Sequence, residues 1–149
     1  MGAGISISVR RLVEFILRSG DIDRRHSASS TEAMQAGSMI HRRLQEEQGD
    51  GYRAEVPLKY TYETDDYELT IEGRADGIIS VDGQIVIDEI KAVYGDVKSL
   101  EEPKEVHLAQ ARVYAAIYTL DHALKETGVR MTYCSIDTME LQYFHFSYT

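Results

Sequence analysis

Three side chains that could together bind a cation and act on a phosphate fall on a predicted β-hairpin. Residues 70–93 contain two runs of apolar and β-branched residues separated by Asp82-Gly83. Asp-Gly between such runs is a strong signal for a two-residue turn, because both turn positions must tolerate positive φ. That turn places Asp76 directly opposite Glu89, at a Cβ separation of about 4.5–5.5 Å. Lys91 follows Glu89 by two residues and therefore shares its face of the strand.

Two carboxylates at this separation repel each other unless a cation lies between them or one of them holds a proton. A bound divalent cation can neutralise a phosphodiester, lower the pKa of a bound water and stabilise the leaving oxyanion. An adjacent ammonium would orient or activate the attacking water and offset the charge that builds on the phosphate. We therefore predict a Mg²⁺- or Mn²⁺-dependent nuclease centre with Asp76 and Glu89 as ligands and Lys91 as a catalytic partner. The simpler alternative is that the acidic pair belongs to a solvated sheet face.

The composition predicts one domain spanning residues 1–149, with a net charge of −9. Residues 1–53 hold eight arginines against seven acidic residues, a balance of +1, so the remainder carries −10. A basic surface for nucleic acid would therefore come from the N-terminal part. Cys134 is the single cysteine, which excludes an intramolecular disulfide and a cysteine-ligated iron–sulfur cluster. With no apolar run near the roughly 18 residues of a membrane span and no signal-peptide pattern, we expect a cytoplasmic protein.

Apolar periodicity and turn residues predict a chain of mixed helices and strands. The predicted helices are Ser8–Ser19, a second from a cap at Ser29 to about Gln48, and Lys104–Thr127. The predicted strands are Tyr52–Thr64, the two arms of the hairpin, Val129–Ile136 and Met139–Tyr148. Pro57 makes the first of these an edge strand or marks a bulge.

The last predicted helix carries two stripes. One is apolar and is expected to form its core face; it comprises Val106, Ala109, Val113, Ala116, Ile117, Leu120 and Leu124. The other is polar and aromatic and comprises His107, Gln110, Tyr114 and Tyr118. Gln110 and Tyr114 lie four residues apart and so stack on one face. On the second helix, the expected core face contains Ala33, Met34, Ala36, Ile40 and Leu44.

These motifs, taken in order, resemble the PD-(D/E)XK nuclease superfamily in its RecB-like branch. Asp76 of GRADGII resembles the acid on the second core strand of that family, and Glu89-Ile90-Lys91 resembles its E-x-K. Gln110-x-x-x-Tyr114 resembles the Q-x-x-x-Y of the following helix, and Gly37-x-x-x-His41 resembles the G-x-x-x-H of the branch. The stretches ISVRRLVEFILRSGDID and AMQAGSMIH are also similar to the start of bacterial DinG-type DNA helicases that carry such a nuclease domain.

The resemblance adds roles to those residues. It implies that His41 and the backbone carbonyl of Ile90 are further metal ligands, and that Gln110 and Tyr114 position either the DNA strand or Lys91. Packing at the edge of the core is the alternative for that Gln–Tyr pair. The hairpin register places Arg74 opposite Lys91, and we expect it to contact a phosphate. Asp88 lies on the other face from Glu89 and is interpreted as structural, and His107 is a weaker candidate.

The resemblance implies an α/β fold with a restriction-endonuclease-like core, in which helices flank a central mixed β-sheet in the order α-α-β-β-β-α-β-β. It implies a metal-dependent deoxyribonuclease, an exonuclease acting on DNA ends or single strands in repair or recombination. It also implies a helicase domain further along the same longer chain. The alternative is a nuclease fold that binds DNA or a partner domain without cutting.

Overall fold

Six strands and three helices make up a mixed α/β structure in the computed structural model, which describes residues 3–17 and 31–148. The strands are β1 (Ala3–Ser8), β2 (Tyr52–Glu63), β3 (Tyr67–Val81), β4 (Gln84–Val93), β5 (Thr127–Ser135) and β6 (Leu141–Tyr148). The helices are α1 (Val9–Ile16), α2 (Thr31–Glu46) and α3 (Glu105–His122), and a short 3₁₀ turn spans Val97–Ser99. None of the described helices is long and apolar enough to cross a bilayer.

All six strands join one sheet, in which β3 has three partner strands, more than any other strand. The order is β1-β3-β4-β5-β6, with β2 also paired to β3. The β1–β3 and β4–β5 pairs are parallel, and the other three pairs are antiparallel. The expectation of a mixed sheet flanked by helices is therefore confirmed.

Helices cover both faces of this sheet. Helices α1 and α3 pack over the larger core cluster, to which β4 contributes Ile87. Helix α2 packs through Ile40 and Leu44 onto a smaller cluster that includes Ile90 of the same strand. Because residues three apart on a strand point to opposite faces, α2 lies on the other side of the sheet from α3.

The predicted hairpin is confirmed. Val81 pairs with Gln84, and the two turn residues have positive φ, 52° for Asp82 and 80° for Gly83. The pairing and the two positive φ angles are those of the two-residue hairpin turn that Asp-Gly favours. Hairpins use this turn because its twist matches that of the flanking strands. Strand β2 is an edge strand, as Pro57 indicates, and Glu55 within it also adopts a positive φ of 54°.

Two expectations about the elements are wrong, and a third holds only in part. The predicted order omits β1, a six-residue strand paired with β3 more than sixty residues away. Helix α3 ends at His122 and not at Thr127, because Ala123 adopts the left-handed conformation at its C-terminus and Thr127 begins β5. Most of the apolar stripe of α3 packs in the core, as expected, but Leu120 is 62% exposed and the polar-aromatic stripe is also turned toward the sheet. The predicted helix end near Ser19 and the predicted cap at Ser29 lie outside the described residues.

Candidate active site

The candidate site lies where β3 and β4 separate. One edge of β3 pairs with β2 from Glu68 to Ile79. The other edge is shared, since β1 pairs with residues 67–72 and β4 pairs with residues 77–81. In the described sheet, residues 73–76 of β3 therefore have no strand partner on that second edge. The result is a fork in the sheet, with Asp76 on one arm and Glu89 on the other.

Side chains, in place of backbone, bridge this fork. The Ile90 N–H donates to Oδ2 of Asp76 at 2.7 Å, and the Asp76 N–H donates to Oε1 of Glu89 at 3.4 Å. The pair predicted to face each other across the hairpin is thus in contact, one step beyond the last paired residues, Gly77 and Asp88. Buried backbone N–H groups need acceptors, and the two carboxylates supply them here.

Arg74 does not lie opposite Lys91, because the β3–β4 pairing ends before that point. It aligns with Pro57 of β2, and its side chain is 66% exposed, with Nη1 3.9 Å from Oε2 of Glu55. Lys91 aligns with Tyr133 of β5. That part of the predicted register is wrong, although Arg74 remains near the rim of the fork.

His41 reaches the fork from α2. Its Nδ1 donates to the Gly37 carbonyl at 2.8 Å, which directs Nε2 toward Oδ2 of Asp76 at 3.5 Å. The part of the Gly37-x-x-x-His41 motif that contacts the ring is therefore the Gly37 carbonyl. It accepts the proton of Nδ1 and so leaves Nε2 on the side of Asp76. Burial lowers the pKa of His41, but the hydrogen bond and charge of Asp76 and the carbonyls of Gly37 and Ile90 raise it to about 9. An imidazole nitrogen, a carboxylate and the Ile90 carbonyl thus converge.

Glu89 and Lys91 lie on the side of β4 that faces α3. Glu89 is only 4% exposed, and its Oε2 is 3.9 Å from Nζ of Lys91. Burial and the nearby charge of Asp76 raise the pKa of Glu89, and Lys91 opposes that shift. The charge of Asp76 therefore disfavours the charged form of Glu89, as expected for two carboxylates this close.

Helix α3 contributes Gln110 and Tyr114, one turn apart. Oε1 of Gln110 accepts a hydrogen bond from Nζ of Lys91 at 3.2 Å. Tyr114 reaches β3 instead. A Cβ at Gly73 would lie 2.6 Å from the Tyr114 hydroxyl, so only glycine leaves room for it. Burial and the charge of Glu89 raise the pKa of Tyr114 to about 12, against a hydrogen bond from the Arg74 backbone.

Asp88 belongs to a separate buried network on the α2 side of β4. It is fully buried and accepts hydrogen bonds from Tyr52 (2.7 Å), Thr132 (2.7 Å) and two guanidinium nitrogens of Arg130 (3.0 Å each). These four hydrogen bonds satisfy both oxygens of the buried carboxylate, which agrees with a structural role for Asp88. His107 likewise has a local partner, with Nδ1 2.9 Å from the Tyr133 hydroxyl. Burial and the charges of Lys91 and Lys104 lower the pKa of His107 to about 3.

Two residues at the site were not predicted from the sequence. Nε2 of Gln45, one turn after His41, donates to the Asp76 carbonyl at 2.8 Å and to Oε1 of Glu55 at 3.1 Å. His41, Gln45 and Glu55 line the same open cavity of about 600 Å³. The one available signal was the four-residue spacing of His41 and Gln45, which puts both side chains on one helix face.

The donor set suits a hard or borderline divalent cation that keeps part of its water. Among residues 3–17 and 31–148, no three His, Cys, Asp or Glu side chains are grouped closely enough to hold an ion by themselves. The fork offers instead one imidazole nitrogen, two carboxylates bonded across it and the Ile90 carbonyl. Mg²⁺ typically binds through one or two carboxylates and retains several waters, and an imidazole broadens a site toward Mn²⁺. The donor types at the fork are those that such an ion takes, while the described side chains do not form a closed three-ligand site.

Comparison with known proteins bears on the fold alone. The chain matches no family model and no curated protein. Among solved structures it is similar to the crystal structure of SSO0001, with a TM-score of 0.63 and 18% sequence identity. The similarity covers 95% of this chain and 66% of that one, so this chain spans a little under two thirds of the length of SSO0001. At this level of identity the finding establishes a shared α/β fold.

Proposed function

We propose that this protein is a divalent-metal-dependent deoxyribonuclease that hydrolyses phosphodiester bonds at DNA ends or in single strands, using Mg²⁺ or Mn²⁺. The observation that carries the proposal is the meeting of His41, Asp76, Glu89 and Lys91 at one fork in the sheet. These side chains come from α2, β3 and β4. They are joined by successive contacts, His41 to Asp76 at 3.5 Å, the Asp76 N–H to Glu89 at 3.4 Å and Glu89 to Lys91 at 3.9 Å.

Each side chain has a separate task in this proposal. A cation held by His41, Asp76, Glu89 and the Ile90 carbonyl would supply charge neutralisation and a more acidic bound water. The Lys91 ammonium has three N–H donors, and one of them is engaged by Gln110. The ammonium also lies 3.9 Å from Oε2 of Glu89, and in this proposal its remaining donor capacity holds a water or a non-bridging phosphate oxygen, where it would offset developing negative charge.

The surrounding side chains would support that arrangement. Gln110 limits the motion of Lys91, and Tyr114 packs on β3 beside the fork. Arg74, exposed at the rim, is placed to contact a neighbouring phosphate once it separates from Glu55. Orientation of this kind can lower an activation barrier by up to about 7–11 kcal/mol, because it removes the entropy cost of assembling the reactants.

Nuclease assays with matched variants test the proposal. End-labelled linear single-stranded DNA and circular single-stranded DNA are incubated with Mg²⁺, Mn²⁺ or EDTA. We expect the wild-type protein to degrade the linear strand only when metal is present, and Glu89→Gln and Lys91→Met to lose at least about 100-fold of the rate. Lys98→Met, which changes an exposed lysine outside the site, is the control and should retain full activity. Circular DNA separates the modes, since only an endonuclease would cut it.

The second candidate is a module that binds DNA or a partner domain without cutting. The observation that favours it is that no three His, Cys, Asp or Glu side chains of the described residues form a closed ion site. DNA binding by wild-type protein without release of nucleotides in either metal would support this candidate and contradict catalysis. In both cases we propose that the domain functions in the cytoplasm beside a helicase in a longer chain.

A further inference from the structure

Gln45 of α2 is hydrogen-bonded both to Glu55 of β2 and to the backbone of Asp76 in β3. Ala54 and Val56 of β2 pair with Gly77 and Ala75 of β3, so Glu55 lies across from Asp76. Glu55 has a φ of 54°, a conformation that non-glycine residues seldom adopt and that concentrates near functional sites. The distortion occurs at the one position of β2 that faces the predicted cation ligand.

Gln45 makes both hydrogen bonds through its side-chain amide. Its amide nitrogen donates one hydrogen bond to the Asp76 carbonyl, at 2.8 Å, and another to Oε1 of Glu55, at 3.1 Å. Both amide hydrogens of a glutamine are thereby used. Residues 73–76 of β3 have no strand partner on the edge that β1 and β4 share. The bond from Gln45 therefore restrains the Asp76 backbone where strand pairing does not.

We infer that Gln45 is a positioning residue that, held by Glu55, fixes the backbone of Asp76 so that its carboxylate meets the cation. The inference rests on the proposed function and deepens it. Gln45 and His41 are one turn apart on α2, so the same helix supplies a ligand and a restraint on its partner ligand. Groups that orient a metal ligand typically change metal affinity or activity by 10–100-fold when removed.

Two matched pairs of variants test this inference by Mn²⁺ calorimetry on the whole chain. Gln45→Met removes both donors, and Gln48→Met makes the same change three residues on, where the side-chain amide donates to the Leu44 carbonyl of its own helix. We expect about a tenfold weaker Mn²⁺ affinity for Gln45→Met and a change within twofold for Gln48→Met. Thermal unfolding confirms that the titrated variants are folded.

The second pair separates the hydrogen bond from the charge. Glu55→Gln and Glu55→Gly both remove the carboxylate charge, but only glutamine keeps an acceptor for Gln45, and glycine accepts the positive φ without strain. Weaker Mn²⁺ binding by Glu55→Gly than by Glu55→Gln supports the inference. Equal affinities for these two, or wild-type affinity for Gln45→Met, would overturn it.

The outcomes also separate this inference from the proposed function. Wild-type protein that binds Mn²⁺ but cuts no DNA would refute the nuclease and leave the role of Gln45 standing, provided that Gln45→Met binds more weakly. Wild-type protein that cuts DNA and a Gln45→Met variant with unchanged Mn²⁺ affinity would refute the role of Gln45 alone. Wild-type protein that binds no Mn²⁺ would overturn both.

Discussion

Replacement of Asp88 by asparagine should destabilise the fold strongly while leaving the candidate site intact. The carboxylate is fully buried and accepts four hydrogen bonds, two of them from Arg130, whose side chain is 16% exposed. Asparagine has nearly the same shape but would leave the guanidinium unpaired and present an amide to donors. Removal of one partner of a buried ion pair costs about 3–5 kcal/mol, a large share of the roughly 5–15 kcal/mol that stabilises a domain.

The assay is equilibrium urea unfolding followed by circular dichroism, with the exposed Asp121→Asn as a matched control that should change stability by less than about 0.5 kcal/mol. Tyr52→Phe removes a single bond to the same carboxylate and should cost about 1.5–3 kcal/mol, which keeps the test usable when Asp88→Asn is too unstable. Mn²⁺ affinity of the folded variants should match wild type, because Asp88 and Glu89 point to opposite faces. A cost below about 1 kcal/mol, or lost Mn²⁺ binding by folded protein, would refute the reasoning.

Three further predictions concern stability. Gly77→Ala would place a Cβ 2.0 Å from the Tyr52 ring, so we expect destabilisation of about 1–3 kcal/mol or more in urea; Gly4→Ala, with nothing within 4 Å, is the control, and equal effects would contradict the steric argument. Gly83→Ala should cost about 1–2 kcal/mol in the same assay, because φ is 80°, whereas Gly83→Asn should cost less; equal stability of Gly83→Ala and wild type would count against the turn. The pKa of His107 is lowered to about 3, so below pH 6.5 the unfolded chain binds a proton that the folded chain does not. Stability should therefore fall as pH falls toward 3, by up to about 1.4 kcal/mol per pH unit, and His107→Gln should flatten that slope; an unchanged slope would contradict a neutral buried imidazole.

Features encoded locally could be predicted from the sequence. The Asp82-Gly83 turn requires only its own backbone angles and the apolar runs beside it, and it sets the register that brings Asp76 to Glu89. The i, i+4 spacing of Gln110 and Tyr114 places both on one face of α3. These features follow from the geometry of a turn or a helix, without knowledge of distant segments.

Features that depend on distant segments could not be predicted in this way. The fork exists because β1 and β4 share one edge of β3, and β1 is a short strand far from its partner in sequence. Hydrophobicity placed Leu120 in the core face of α3, whereas it is exposed, because contacts with Lys91 and β3 turn Gln110 and Tyr114 inward. The partners of Gln45 are a backbone carbonyl and a carboxylate on other elements, and no periodicity reports such bonds.

The proposed cation site is tested most directly by a crystal structure of the wild-type protein. The crystals are grown with Mn²⁺, and the ion is located by its anomalous scattering. We predict one cation in the fork between β3 and β4, with oxygens of both Asp76 and Glu89 and Nε2 of His41 within about 2.5 Å. An empty fork at saturating Mn²⁺, or a cation that contacts neither carboxylate, would contradict this prediction.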